Sequence, residues 1–292
     1  MDERLRSIHR QAIENHPLQE YEYADEYFRD QLNTRDVHPN YGRIKMRGMF
    51  RVHSSGPRDY LLVQTNPDLK PGTHTDGVHP SHFKLGDESN DFDIQTLVDH
   101  SRTTISNYLY NGGKHNLKSL ICAVNEVFEE GKLELDSVID DETFRDYLCY
   151  EKYQSYRKDL SNPPIGEKEG FFGDFAYTNV IKHQAPRNRY RRTPHGIDWF
   201  EDELKTISPE IAFSMGDKSM QMFKRLGFEK VAESQFSTRV CGKILSHDGD
   251  SNGVKDRGHL QDISVVQLHH LDFRSADYSK IIQECLMKVS KL

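Results

Sequence analysis

Three stretches of the 292-residue chain place polar side chains that no core requires directly after, or inside, an apolar run. The first is Gln64-Thr65-Asn66-Pro67-Asp68, which follows Leu61-Leu62-Val63. The second is Thr178-Asn179-Val180-Ile181-Lys182-His183. The third is Leu268-His269-His270-Leu271-Asp272, after Ile263 to Val266. A side-chain amide carries both a donor and an acceptor, so it can orient a water or read a polar edge. An imidazole can donate to an oxygen that gains negative charge. An Asn, an Asn and a His at one edge can therefore position a water, recognise an amide-like edge and stabilise a leaving oxygen. Each stretch also has a plainer reading. Asn-Pro commonly starts a turn, and an Asn within a strand can make a structural hydrogen bond. A His at a strand end is commonly structural or solvated. The shared position after apolar runs is what favours function.

The elements that must carry these residues follow from periodicity. Residues 3–32 are polar and rich in Glu, Tyr and Arg, and read as one or two helices with a weak apolar stripe. A strand is expected at 43–52 and a buried one at 59–64. A Gly/Pro/His-rich loop runs from Asn66 to about Asp93, and 94–110 reads as helical. A stronger helix spans about Asn116 to Glu129, with Leu117, Leu120, Ile121, Val124, Val127 and Phe128 on one face. Residues 131–160 are charged, with helical pieces, and 161–173 is turn-rich. Strands are expected at 175–182, 210–215, near 236–246 and at 262–268, and helices at 197–206, 217–226 and 277–290. Strands alternating with helices predict an α/β domain: a three-layer αβα sandwich around a central, mostly parallel sheet. Residues 1–54 read as a helical and strand extension packed on a catalytic core at 55–292. In such open sheets, ligands bind at the carboxyl ends of the strands, where the three polar stretches fall.

FAYTNVIKHQAPRNRYRRTP and ISPEIAFSMGDKSMQMFKRLG, together spanning 175–227, resemble the uracil-DNA glycosylase superfamily. They are most similar to its iron–sulfur branch, in which a motif Asn is followed by a Lys, a Pro and an Asn-Arg pair. LLVQTNPDLKPG resembles the superfamily's first motif, as it stands in mismatch-specific uracil/thymine glycosylases. The third motif is altered to His269-His270-Leu271-Asp272. The Cys that the branch places directly after the motif Lys is replaced by His183, Ile197 to Leu204 contains no Cys, and there is no N-terminal Cys pair. No iron–sulfur cluster and no other cofactor is therefore expected. The base-stacking aromatic expected after the first motif has no clear equivalent; Phe83 or a His such as His79 could take its place.

The resemblance implies a monofunctional enzyme that flips a pyrimidine out of DNA and hydrolyses its N-glycosidic bond. Asn66 would hold the water, and His269 or His270 would donate to the departing base. Asn179 and Gln64 would bind the base. No Schiff-base lysine is needed. The stretch 182–195 holds Lys182, Arg187, Arg189, Arg191 and Arg192 with no acid, and reads as a phosphate-contacting loop. Leu271, Phe273 and Arg274 would meet or wedge into the duplex where the base leaves. The long polar loop after Asn66 could admit a bulky group on the base, such as the sugar of a glucosylated hydroxymethylcytosine in phage DNA. That would make the chain an antiviral enzyme, with uracil or mismatch repair as the competing role.

Composition sets the outer bounds. The net charge of −7 excludes an indiscriminate polycation but not a local basic patch. The chain opens on MDERLRSIHR, which reads as neither a signal nor a transit peptide. No apolar run suits a membrane span. Cys122, Cys149, Cys241 and Cys285 form no CxxC pair, which fits a reducing cytoplasm. A monomeric DNA partner protein is expected. Two rivals stand beside the glycosylase. His74, Asp76, His79 and His82 suit a metal-dependent hydrolase by donor type, although their spacing matches no standard site. A non-catalytic nucleic-acid-binding protein of the same fold fits the altered third motif.

Overall fold

A computed structural model describes residues 3–5, 7–8, 57–65, 105–106, 108–128, 140–149, 170–180, 196–247, 258–271, 273 and 277–292. The expected strand at 43–52 and most of the 1–54 extension lie outside the described residues. So do Asn66, His74, Asp76, His79, His82, Phe83, Lys182, Arg187, Arg189, Arg191, Arg192, Asp272 and Arg274.

Four apolar runs form the centre of the sheet: β1 (Tyr60–Gln64), β2 (Phe175–Asn179), β3 (Ile211–Met215) and β6 (Ser264–Leu268). They are mutually parallel. Strands covered on both faces must be apolar on both, so they read as unbroken hydrophobic runs. Alternate residues supply two cores. Tyr60, Leu62, Phe175, Tyr177, Phe213, Val266 and Leu268 face one cluster. Leu61, Val63, Ala176, Ala212 and Val265 face the other. The first is roofed by α1 (Lys114–Val127) and α6 (Tyr278–Val289), through Leu117, Leu120, Ile121, Val124, Ile281, Ile282 and Leu286. The short helices α2 (Asp141–Tyr147) and α3 (Gly170–Asp174) add Phe144, Phe171 and Phe172 to it. The second core is covered by α4 (Gly196–Ile207) and α5 (Asp217–Arg225), through Phe200, Leu204, Met222 and Phe223. Leu5 and Ile8, in helical residues near the amino terminus, are buried in this second core. The fold is a three-layer αβα sandwich, as expected.

The six strands run β2-β1-β3-β6-β5-β4. Here the structure corrects the sequence reading. One strand was expected near 236–246, whereas an antiparallel hairpin occupies the region, with β4 (Phe228–Thr238) pairing to β5 (Cys241–His247). β4 is the sheet edge, and Glu229, Lys230 and Val231 are exposed on it. A solvated edge strand needs no apolar run, and its charges guard the open edge against pairing with other chains. The stretch Asn111-Gly112-Gly113 is a second departure. It was expected to lie between two helices, but a π-helical turn (Leu109–Gly113) runs through it straight into α1. No helix among the described residues is long and apolar enough to cross a membrane.

Candidate active site

The chain order defines a topological switch point. From β1 the path leads to α1 on one face and to β2 on one side. From β3 it leads to α5 on the opposite face. Neighbouring parallel strands whose connections diverge leave a gap beyond their carboxyl ends, and such switch points are where open α/β sheets bind ligands. The gap lies between Gln64-Thr65 and Gly216-Asp217. Asn179 flanks it on one side and the His269-His270 turn on the other. β2 and β6 are three strand spacings apart, roughly 14 Å.

Gln64 and Asn179 are register partners on adjacent parallel strands. Both lie on the face of α1 and α6, in phase with Leu62 and Tyr177. Asn179 is 1% exposed, yet neither its Nδ2 nor its Oδ1 has a hydrogen-bond partner. Gln64 is also buried, and its Nε2 is unpartnered too. The strand ends themselves are firmly held: Val180 N–H donates to Gln64 O at 3.0 Å. On the opposite face, Thr178 Oγ1 donates to the buried carboxylate of Glu203 on α4 at 2.9 Å. Burying an amide with no partner costs on the order of 1–3 kcal/mol. Two such amides side by side at the switch point leave unsatisfied donors and an acceptor that a ligand's polar groups could pair with.

β3 ends on Gly216, with φ 84° and ψ 175°. This region of backbone space is essentially confined to glycine. The turn is pinned where Gly216 N–H donates to Leu268 O at 2.8 Å and Ser219 Oγ donates to Met215 O at 2.9 Å. The imidazole of His270 packs directly on this glycine: a Cβ there would lie 2.9 Å from His270 Nε2. Gly216→Ala should therefore lower stability by about 1–3 kcal/mol and displace the His270 ring. Thermal unfolding and the His270 imidazole resonances check both effects; an unshifted ring would separate His270 from Gly216.

The turn after β6 carries the remaining groups. Phe273 N–H donates to His270 O at 2.9 Å. The rings of His269 and Phe273 stack, with centroids 4.4 Å apart and planes 28° from parallel. Burial holds the His269 pKa below the usual imidazole value, His270 adds to this, and Asp217 opposes it. His269 is thus biased towards the neutral imidazole. Asp217 Oδ1 also accepts from Gln267 Nε2 at 3.3 Å, tying the start of α5 to β6.

Leu271 requires a correction. It was expected to protrude towards a duplex, but it is 2% exposed and packed in the first core. Its Cβ sits where Gly113 has no side chain: a Cβ on Gly113 would be 3.0 Å away. Phe273, at 51% exposure, is the apolar residue this turn presents to solvent.

Asn116 belongs to the site and escapes a reading of the sequence. It is buried on α1 and donates through Nδ2 to Leu271 O at 2.7 Å and to Phe273 O at 2.6 Å. The signal that could have found it is an Asn on the apolar face of a helix, one turn before Leu120. Among the described residues, no group of three His, Cys, Asp or Glu side chains could hold a metal. The cysteines are free thiols. Burial pushes Cys241 up to about 11 and Cys285 up to about 12, so both are protonated packing residues.

No family model matches the chain, and neither a curated protein nor a solved structure matches it.

Proposed function

We propose that the chain is a monofunctional DNA glycosylase resembling the uracil-DNA glycosylase superfamily, acting on a pyrimidine flipped out of DNA. The observation that carries this reading is the buried, unpartnered amide of Asn179 beside Gln64 at the switch point of a parallel sheet. A pyrimidine offers donors and acceptors along one edge, and these would satisfy both amides. A base bound near Asn179, beyond the carboxyl ends of the strands, would have its sugar lying towards the histidines.

The reaction adds water to the anomeric carbon as the C–N bond breaks. The bond's electron pair leaves with the base, and the water loses a proton to solvent. Asn66, two residues after Gln64, orients the water. His270 donates to a base oxygen as charge develops there, and its contact with Gly216 at the switch point favours it over His269. His269 stacks beneath Phe273 and supports it. Phe273 takes the wedge role, with Arg274 beside it in sequence for phosphate. The enzyme needs no cofactor and works as a cytoplasmic monomer on DNA.

The polar stretch after Asn66, with His74, Thr75, Asp76 and His79, favours a bulky, hydroxyl-bearing pyrimidine such as a glucosylated hydroxymethylcytosine. Digesting uracil DNA, plain DNA and glucosylated phage DNA side by side tests this. Abasic sites in the glucosylated DNA are expected. Excision from uracil DNA alone would instead make the chain a repair enzyme.

The basic stretch 182–195 supplies the grip. Arg187→Ala and Arg189→Ala should weaken DNA binding and flatten its salt dependence, by about one unit of slope for each phosphate that is no longer neutralised. Binding isotherms at several salt concentrations check this. An unchanged slope in the double variant would put the DNA track elsewhere.

A further inference from the structure

Asn116 sits on α1, outside every motif discussed above, yet it is the side chain that grips the histidine turn. Both hydrogens of its amide nitrogen are used on that turn, one on Leu271 O and one on Phe273 O. The assignment of nitrogen and oxygen is unambiguous, because a flipped amide would aim an oxygen at two carbonyl oxygens. The other end of the amide, Oδ1, is buried with no partner. An apolar residue of similar size would spare that acceptor but leave the Leu271 and Phe273 carbonyls without this donor, so the amide is kept for the turn it holds. Gly113, one helical turn earlier, gives Leu271 its niche. The start of α1 thus clamps the turn at the backbone on both sides of Asp272, and at the Leu271 side chain. Phe273 is exposed, but its backbone is anchored.

We infer that Asn116 is the positioning residue of the site: from α1 it fixes the 269–273 turn, so that His270 and Phe273 stand in a set relation to the switch point. The inference rests on the glycosylase reading for its effect on the reaction, and on geometry alone for its effect on the turn. Groups that must meet a substrate atom tolerate little displacement, and an error of about 1 Å can cost on the order of a hundredfold in rate.

The test compares Asn116→Ala and Asn116→Ser with the unaltered chain, well below their melting temperatures. Three quantities are read: single-turnover base release per folded molecule, DNA affinity, and hydrogen exchange of the Phe273 amide. The expected result for Asn116→Ala is a rate lower by on the order of a hundredfold, DNA affinity lowered by less than the rate, and faster exchange at Phe273 with β3 and α6 still protected. Asn116→Ser keeps one donor and should lose less; it carries the test if the alanine variant does not fold. An unchanged rate per folded molecule would overturn the positioning role and leave Asn116 a residue of stability only. If the unaltered chain releases no base from any DNA, the glycosylase reading falls, and with it the catalytic half of the inference. Exchange at Phe273 then decides the rest: unchanged protection in both variants would overturn the clamp as well.

Discussion

Asn179→Leu is expected to give a chain that is more stable than the parent and releases base more slowly by on the order of a thousandfold. Both effects come from one feature. The Asn179 amide is buried at the end of β2 with its donor and its acceptor unpaired. Leucine has nearly the same size and no polar group to desolvate, so the free protein should gain about 1–3 kcal/mol. The bound pyrimidine then loses its partner, and its own polar edge is left unpaired at the switch point, which is a strong penalty. Chemical denaturation and single-turnover kinetics on the same preparation read the two effects. Lower stability would mean that the amide has partners in the folded chain. Unchanged turnover would remove Asn179 from the reaction.

The second large effect is expected at the histidine turn. His270→Ala should reduce base release by on the order of a hundredfold to a thousandfold, the usual cost of removing one donor to a developing oxyanion. His269→Ala should act mainly on the wedge, by removing the ring that supports Phe273. It should therefore weaken binding to duplex DNA more than it slows the chemical step. The contrast follows from where the rings lie. His270 touches Gly216 at the switch point, whereas His269 lies under an exposed phenylalanine. Separate measurement of single-turnover rate and duplex affinity in each variant checks it. The reverse pattern would exchange the two roles.

How much of this arrangement is legible in the chain depends on how local its cause is. β1, β2, β3 and β6 are buried on both faces, so their residues had to be apolar in sequence, and they stand out as runs. The polar residues that end them, Gln64, Asn179 and His269-His270, are visible for the same reason: the contrast is local. β4 is not legible, because an edge strand exposed along most of its length carries charges a loop could also carry. The passage through Gly112-Gly113 is not legible either. Two poor helix formers suggest a break. What calls for a glycine there is tertiary, since Leu271 needs the space that a Cβ on Gly113 would take. The same packing hides Leu271, which sequence alone placed on the surface. Asn116 and the orphaned state of Asn179 are further from local reach. The apolar face of α1 marks Asn116 as unusual, but which groups face either residue across the fold is not encoded along one strand or helix.

The central claim is that the chain cuts an N-glycosidic bond. The most direct measurement follows free base and alkali-labile sites together, by mass spectrometry and strand scission, as the purified chain acts on uracil-containing, plain and glucosylated hydroxymethylcytosine DNA. The expected result is one free base for each alkali-labile site in at least one of the modified DNAs, with no strand break before alkali and release by Asn179→Leu slower by on the order of a thousandfold. Tight DNA binding with no free base from any of the three would contradict it, and would make the chain a nucleic-acid-binding protein rather than an enzyme.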